Sequence, residues 1–355
     1  MTIKKEKDLT VETLRGAVII LVVIGHVIGS GSDGGMKVSE DSFLRHFYYT
    51  FAEFLQMPLF TVIAGWVYTL KPVTYEKIGD FIGKKFIRVL LPMFVVGACY
   101  FLLQYLTPGT NRKGNLADIW RLIFFPYTLF WYLYSLFLVF LVVAVIDAYH
   151  KMETFTSWLA IFLVTTAVLV LRDIVIPEAW PNYLSYKGAV YLLPCFILGV
   201  GLNRFKPLFQ NRVFFYSVLV ILVLSVVIQQ LSWYKIIEYS LVKDSGVGLL
   251  LGLTGTILLL RLPSKVGWLI WFGSFAYSIY LFHAFGTAGG RIIVQKFGIQ
   301  SIPVVFTFSL IAGLFLPILA DYLLSMSGIT RMLFLGKSYH TVKKEKTQPA
   351  SKPSA

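Results

Sequence analysis

Two ionisable side chains share the first apolar run, ETLRGAVIILVVIGHVIG: Arg15 and, eleven residues later, His26. Eleven residues complete about three helical turns, so both side chains fall on one face, roughly 16 Å apart along the axis. An imidazole titrates near neutrality and can give or take a proton. An arginine at the water boundary can hold phosphate oxygens, or simply anchor its helix. Glu53 in YYTFAEFLQMPLFTVIAGW and His283 in GSFAYSIYLFHAFG, with Tyr280 one turn earlier, are two further titratable groups set among apolar residues. A charged group at the centre of such a run costs about 2.5–3.5 kcal/mol on insertion scales, so each is a functional candidate. Each also has an ordinary reading, as a packed His or a boundary Glu. Their coincidence at similar depth in three different runs favours a site. Lys77, Lys84, Lys85 and Arg88 precede the third run; they read as topogenic charge or as a cradle for a phosphate-rich ligand next to Arg15.

The elements that must position these groups follow from composition. Of 355 residues, 57% are hydrophobic and only 14% charged, with a mean hydropathy of +0.73. A soluble domain carries about 25% charged residues, and this chain could not bury its apolar surface in water. Disorder and collagen are excluded by the same figures. Ten neutral stretches, 16–32, 54–70, 89–111, 122–146, 154–171, 188–203, 213–234, 245–260, 266–290 and 297–320, are each near the length that crosses a hydrocarbon core. None alternates with period two, so helices rather than barrel strands are expected. The expected fold is an all-α polytopic membrane protein of about ten transmembrane helices.

Distributing Lys and Arg over alternate segments gives 21 on the side of both termini and 11 on the other, which predicts cytoplasmic N and C termini. The net charge of +14 fits that bias and contact with anionic membrane lipid; no basic patch interleaved with stacking aromatics suggests nucleic acid. The basic N-terminal flank with its apolar run could mimic a signal peptide, but no A-x-A site follows it clearly. Residues 1–335 are expected to form the membrane domain, and 336–355 a basic, disordered cytoplasmic tail. Cys99 and Cys195 form no CxxC, no HxxxH or HExxH joins the five scattered histidines, and GxSxG is absent, so no metal site is expected.

From Leu14-Arg15-Gly16 followed by His26, the chain resembles the membrane acyltransferase-3 family. Met57-Pro58-Leu59-Phe60 with Gly65, KKFIRVLLP ending at Pro92, FWYLYSLF, YLLPCFILG and YSIYLFH continue the resemblance in order, from about residue 9 to 335. Gln56 departs from it, standing where many relatives have His. The resemblance implies transfer of an acyl group, usually acetyl, from cytoplasmic acyl-CoA to a hydroxyl of a cell-surface or lipid-linked glycan, in the plasma or bacterial inner membrane. Acyl-CoA would be a co-substrate, with no permanently bound cofactor. It implies that Arg15, with Lys84, Lys85 and Arg88, holds the donor phosphates, and that His26 acts as general base or acyl carrier. Roles for Glu53 in orienting the His26 ring, and for His283 with Tyr280 at the oxyanion or sugar, rest on depth alone. The extracytoplasmic hydrolase-like domain of some relatives is not found in the sequence, so a separate transferase partner is a further expectation. A ten-span transporter of lipid-linked sugars is the alternative that the composition allows; Pro58, Pro92 and Pro194 do not repeat at matching positions in two halves, which weighs against it.

Overall fold

The computed structural model describes residues 8–31, 34–111, 115–239 and 241–339. The N-terminal flank and most of the 336–355 tail therefore lie outside the described residues. What is described is helical: α1 (Leu9–Ile28), α2 (Phe43–Phe47), α3 (Gln56–Tyr68), α4 (Ile78–Lys85), α5 (Leu91–Leu106), α6 (Arg121–Phe124), α7 (Trp131–Ala148) and α8 (Phe155–Val170). There follow α9 (Arg172–Val175), α10 (Tyr186–Arg204), α11 (Arg212–Trp233), α12 (Gly246–Arg261), α13 (Gly267–Ser274), α14 (Ala276–Lys296), α15 (Ile302–Leu324) and α16 (Gly328–Leu335).

All ten apolar stretches fall on helices, but the count of ten outruns the helices that meet the requirements of a span. Seven helical segments among the described residues are long and apolar enough to cross a membrane, α2 and α3 forming one of them. The pair α13 and α14 adds an eighth only if taken as one span bent by 78°. At 16 residues each, α8 and α12 are shorter. A helix rises about 1.5 Å per residue, which leaves those two short of a hydrocarbon core about 30 Å thick. The outer surface is that of a membrane-embedded protein: only 17% of the α11 span is buried, and Val220, Leu224, Phe308, Ile311 and Leu319 are all exposed.

Small residues bring the helices together where the site is built. A Cβ on Gly16 of α1 would lie 1.8 Å from the Leu269 carbonyl oxygen of α13, so Arg15 sits against the bend between α13 and α14. Gly313 of α15 lies where Val23 of α1 and Thr287 of α14 converge, 2.8 and 2.6 Å from where its Cβ would stand. Close backbone approach of this kind drives helix association where lipid removes the hydrophobic incentive. The central helices are then locked by charge. Asp147 of α7, 5% exposed, accepts two bonds from Arg204 of α10 at 2.7 and 2.8 Å and one from the Tyr68 hydroxyl of α3 at 3.0 Å. Removing one partner of a buried pair leaves an uncompensated charge and costs about 3–5 kcal/mol. Asp147→Ala is therefore expected to lower the thermal unfolding midpoint of the detergent-solubilised protein by several degrees, while Asp118→Ala, whose exposed carboxylate lies 3.8 Å from Arg121, leaves it unchanged.

Candidate active site

Two helical segments contain a π-type turn, Tyr48–Ala52 after α2 and Phe86–Leu90 before α5. The first matters most to the site. Its wider ring and the break that follows turn the chain just before α3, so Glu53 sits at the bend itself and Gln56 opens the next helix. Gln229 of α11 steadies the turn by donating to the Tyr49 carbonyl at 2.9 Å. Pro58 falls in the first turn of α3, where its missing N–H costs no helical bond, so the bend precedes it.

His26 is in the last turn of α1. It is exposed although its neighbours Gly25, Val27 and Ile28 are buried, because it faces a cavity of about 450 Å³. Glu53, Gln56, Tyr48, Tyr280 and Ser309 also line this space. Beside it Arg45, buried on α2, donates to the Gly29 carbonyl and, at 3.4 Å, to that of Val38.

His283 of α14 is fully buried, and its ring centroid lies 4.7 Å from that of His26. Its Nδ1 is 2.8 Å from the Tyr280 carbonyl oxygen and 3.0 Å from that of Ile279. A carbonyl oxygen only accepts, so Nδ1 carries the proton and Nε2 presents a lone pair. That Nε2 has no partner among the described residues. His26 likewise has no hydrogen bond there; its contact is the His283 ring. Gln56 Oε1 and Ser309 Oγ are two more buried polar atoms left without partners at the cavity wall. Unpartnered polar atoms are rare in protein interiors, and several around one cavity fit a polar ligand.

His26, Glu53 and His283 are thus brought together, as their depth in the sequence suggests, but with a different division of contacts. His283, not Glu53, touches the His26 ring. The Tyr280 hydroxyl is bonded to the Leu129 carbonyl, and the single N–H of neutral His283 is taken by its own helix. Neither keeps a free donor for an oxyanion. Gln56, passed over in the sequence because it departs from the family pattern, lines the cavity with its Oε1 left without a partner.

Arg15 lies outside the cavity, on α1 beside α13, and Glu12 accepts from it at 3.3 Å. The cationic cluster borders the other side of the bend: Tyr277, early in α14, donates to the Val89 carbonyl at 3.3 Å. Lys84 and Arg88 are exposed there. Lys85 differs from the expectation, since its ammonium lies 3.6 Å from the centroid of the Phe140 ring of α7 and is held by that aromatic face. Arg45, Lys243 and Arg291 at or near the cavity were missed in the sequence, where they count only as loop and boundary charges.

An unbonded imidazole open to a cavity and one bonded within its helix should differ in reactivity. Diethyl pyrocarbonate is expected to modify His26 well before His283, with peptide mass spectrometry reading the order; equal rates would contradict this geometry.

A family model described as an acyltransferase domain matches residues 8–322. No curated protein and no solved structure matches the chain.

Proposed function

The chain belongs to the acyltransferase-3 family and is a membrane acyltransferase; from that premise we propose that it moves an acetyl group from cytoplasmic acyl-CoA to a hydroxyl of a cell-surface or lipid-linked glycan. The observation that carries the reading is the contact of His26 with His283 beside a polar cavity set among apolar helices. Ten crossings with both termini in the cytoplasm, in the plasma or bacterial inner membrane, complete the proposal. The sequence charge bias supports that orientation.

In this mechanism one His26 nitrogen points its N–H toward the unpartnered Nε2 of His283, which leaves the other nitrogen basic toward the cavity. That nitrogen removes the proton of the acceptor hydroxyl as its oxygen attacks the thioester carbonyl. The amide of Gln56 donates to the developing oxyanion. Collapse of the tetrahedral adduct breaks the C–S bond, and the departing CoA thiolate takes the proton back from His26. Glu53 accepts from acceptor hydroxyls and so orients the sugar. Arg15, with Lys84 and Arg88, binds donor phosphates on the cytoplasmic side, while Lys85 contributes chiefly through its packing on Phe140. The roughly 16 Å from Arg15 to His26 is then spanned by the flexible arm that carries the thioester. A separate extracytoplasmic partner is required only if the acyl group leaves this cavity for a second transfer.

General-base catalysis contributes about 10²–10⁴ in rate. Vesicles given labelled acetyl-CoA and a glycan extract are expected to form labelled glycan, and His26→Ala to lower that rate by at least about 10²-fold. A charge-assisted phosphate contact contributes about 1.5–3 kcal/mol, so Arg15→Ala should raise the KM for acetyl-CoA by about ten- to a hundredfold. Equal labelling by wild type and His26→Ala would remove His26 from the chemistry. An unchanged KM would remove Arg15 from the donor site.

A further inference from the structure

Among the titratable groups at the cavity that have no part in the scheme above, an arginine stands out. Arg291, two turns beyond His283 on α14, lines the same cavity, and only 7% of it is exposed. Its one hydrogen bond among the described residues is from Nη2 to the Gly109 carbonyl, at 3.5 Å. None of the ion pairs among the described residues includes it. The guanidinium faces the cavity with Nε and Nη1 left without partners among the described residues, whereas an arginine that merely anchors its helix turns its head to the membrane surface. A buried, unpaired guanidinium is costly unless an anion meets it.

The remaining charges do not supply that anion. Glu53 is the one carboxylate among the described lining residues, and Lys243, also in the lining, and Arg45 act on it. The lining therefore carries two cations, Lys243 and Arg291, against one carboxylate. Lys243 also lies over the Trp131 ring, 5.1 Å from its centroid, which leaves Arg291 the cation with neither a carboxylate nor an aromatic face among the contacts of the described residues. Eight residues of helix separate Arg291 from His283, which is roughly 12 Å along the axis. The polar groups that approach the reacting hydroxyl cluster at one end, and the unmatched cation stands at the other.

We propose that Arg291 is a specificity-determining residue for an anionic acceptor, binding an oxyanion, carboxylate or phosphate, about 12 Å from the hydroxyl that is acylated. A planar guanidinium suits either group, since both accept its paired N–H donors. The inference rests on the glycan-acylating reading of the same cavity and narrows it to acidic or phosphorylated acceptors.

The test uses vesicles containing the full chain, labelled acetyl-CoA and three matched acceptors. These are a glucuronate-containing oligosaccharide, the same oligosaccharide with its carboxylates reduced to alcohols, and the reduced form linked to a polyprenyl phosphate. Wild type is expected to use at least one anionic acceptor with a kcat/KM about tenfold or more above the reduced sugar. Which one it prefers identifies the oxyanion. Arg291→Gln should erase that preference and Arg291→Lys should retain part of it. If Arg291→Gln fails to fold, the partial preference of Arg291→Lys carries the test. Equal use of all three acceptors by wild type, or an equal loss on all three in the variants, overturns the assignment of Arg291 while the acyltransferase reading stands. Failure of wild type to acylate any of them defeats both.

Discussion

Two imidazoles can touch inside an apolar bundle only if their helices run close together and hold register over several turns. Here α1 and α14 do so because Gly16 admits the backbone of α13 and Gly313 admits side chains of both α1 and α14. The 4.7 Å contact of His26 with His283 is the product of that packing. Much else at the site depends on it: the tautomer of His283 is set by its own helix carbonyls, and its free lone pair is therefore turned away from that backbone.

The same packing divides the molecule into two functional ends. The bend between α13 and α14 lies between Arg15 and the cationic segment before α5, and the two helices that leave it lead toward the histidines. At the far end stand Arg45, bonded to the Gly29 and Val38 carbonyls, and the break at Glu53. In the proposed mechanism donor and acceptor approach from these opposite ends and meet at one pair of rings.

The architecture was legible in the sequence at the level of neutral stretches and inside charge, since lipid leaves few alternatives to apolar helices. The gathering of His26, Glu53 and His283 was legible for a related reason: titratable groups are so costly in these runs that those present mark a site. What failed did so where contacts cross long sequence intervals. Lys85 reads as a free phosphate ligand until Phe140 is seen beneath it. Tyr280 reads as a free donor until Leu129 accepts its proton. Asp147 reads as a loop charge, yet it is the buried lock between α3, α7 and α10. Arg291 vanishes into a boundary count because no periodicity tells whether a residue at the end of a run faces lipid, water or a cavity. The count of ten goes beyond the seven or eight long apolar segments among the described residues, because a neutral stretch says nothing of the 78° turn within it or of helices that stop early.

The central claim is that His26 and His283 act as one unit. A double-mutant cycle measuring kcat/KM for acetyl transfer in wild type, His26→Ala, His283→Ala and the double variant addresses it directly. If the rings work together, the double variant loses no more than the worse single one, because the second histidine has nothing left to assist. Losses that multiply would show two independent contributions and contradict the account.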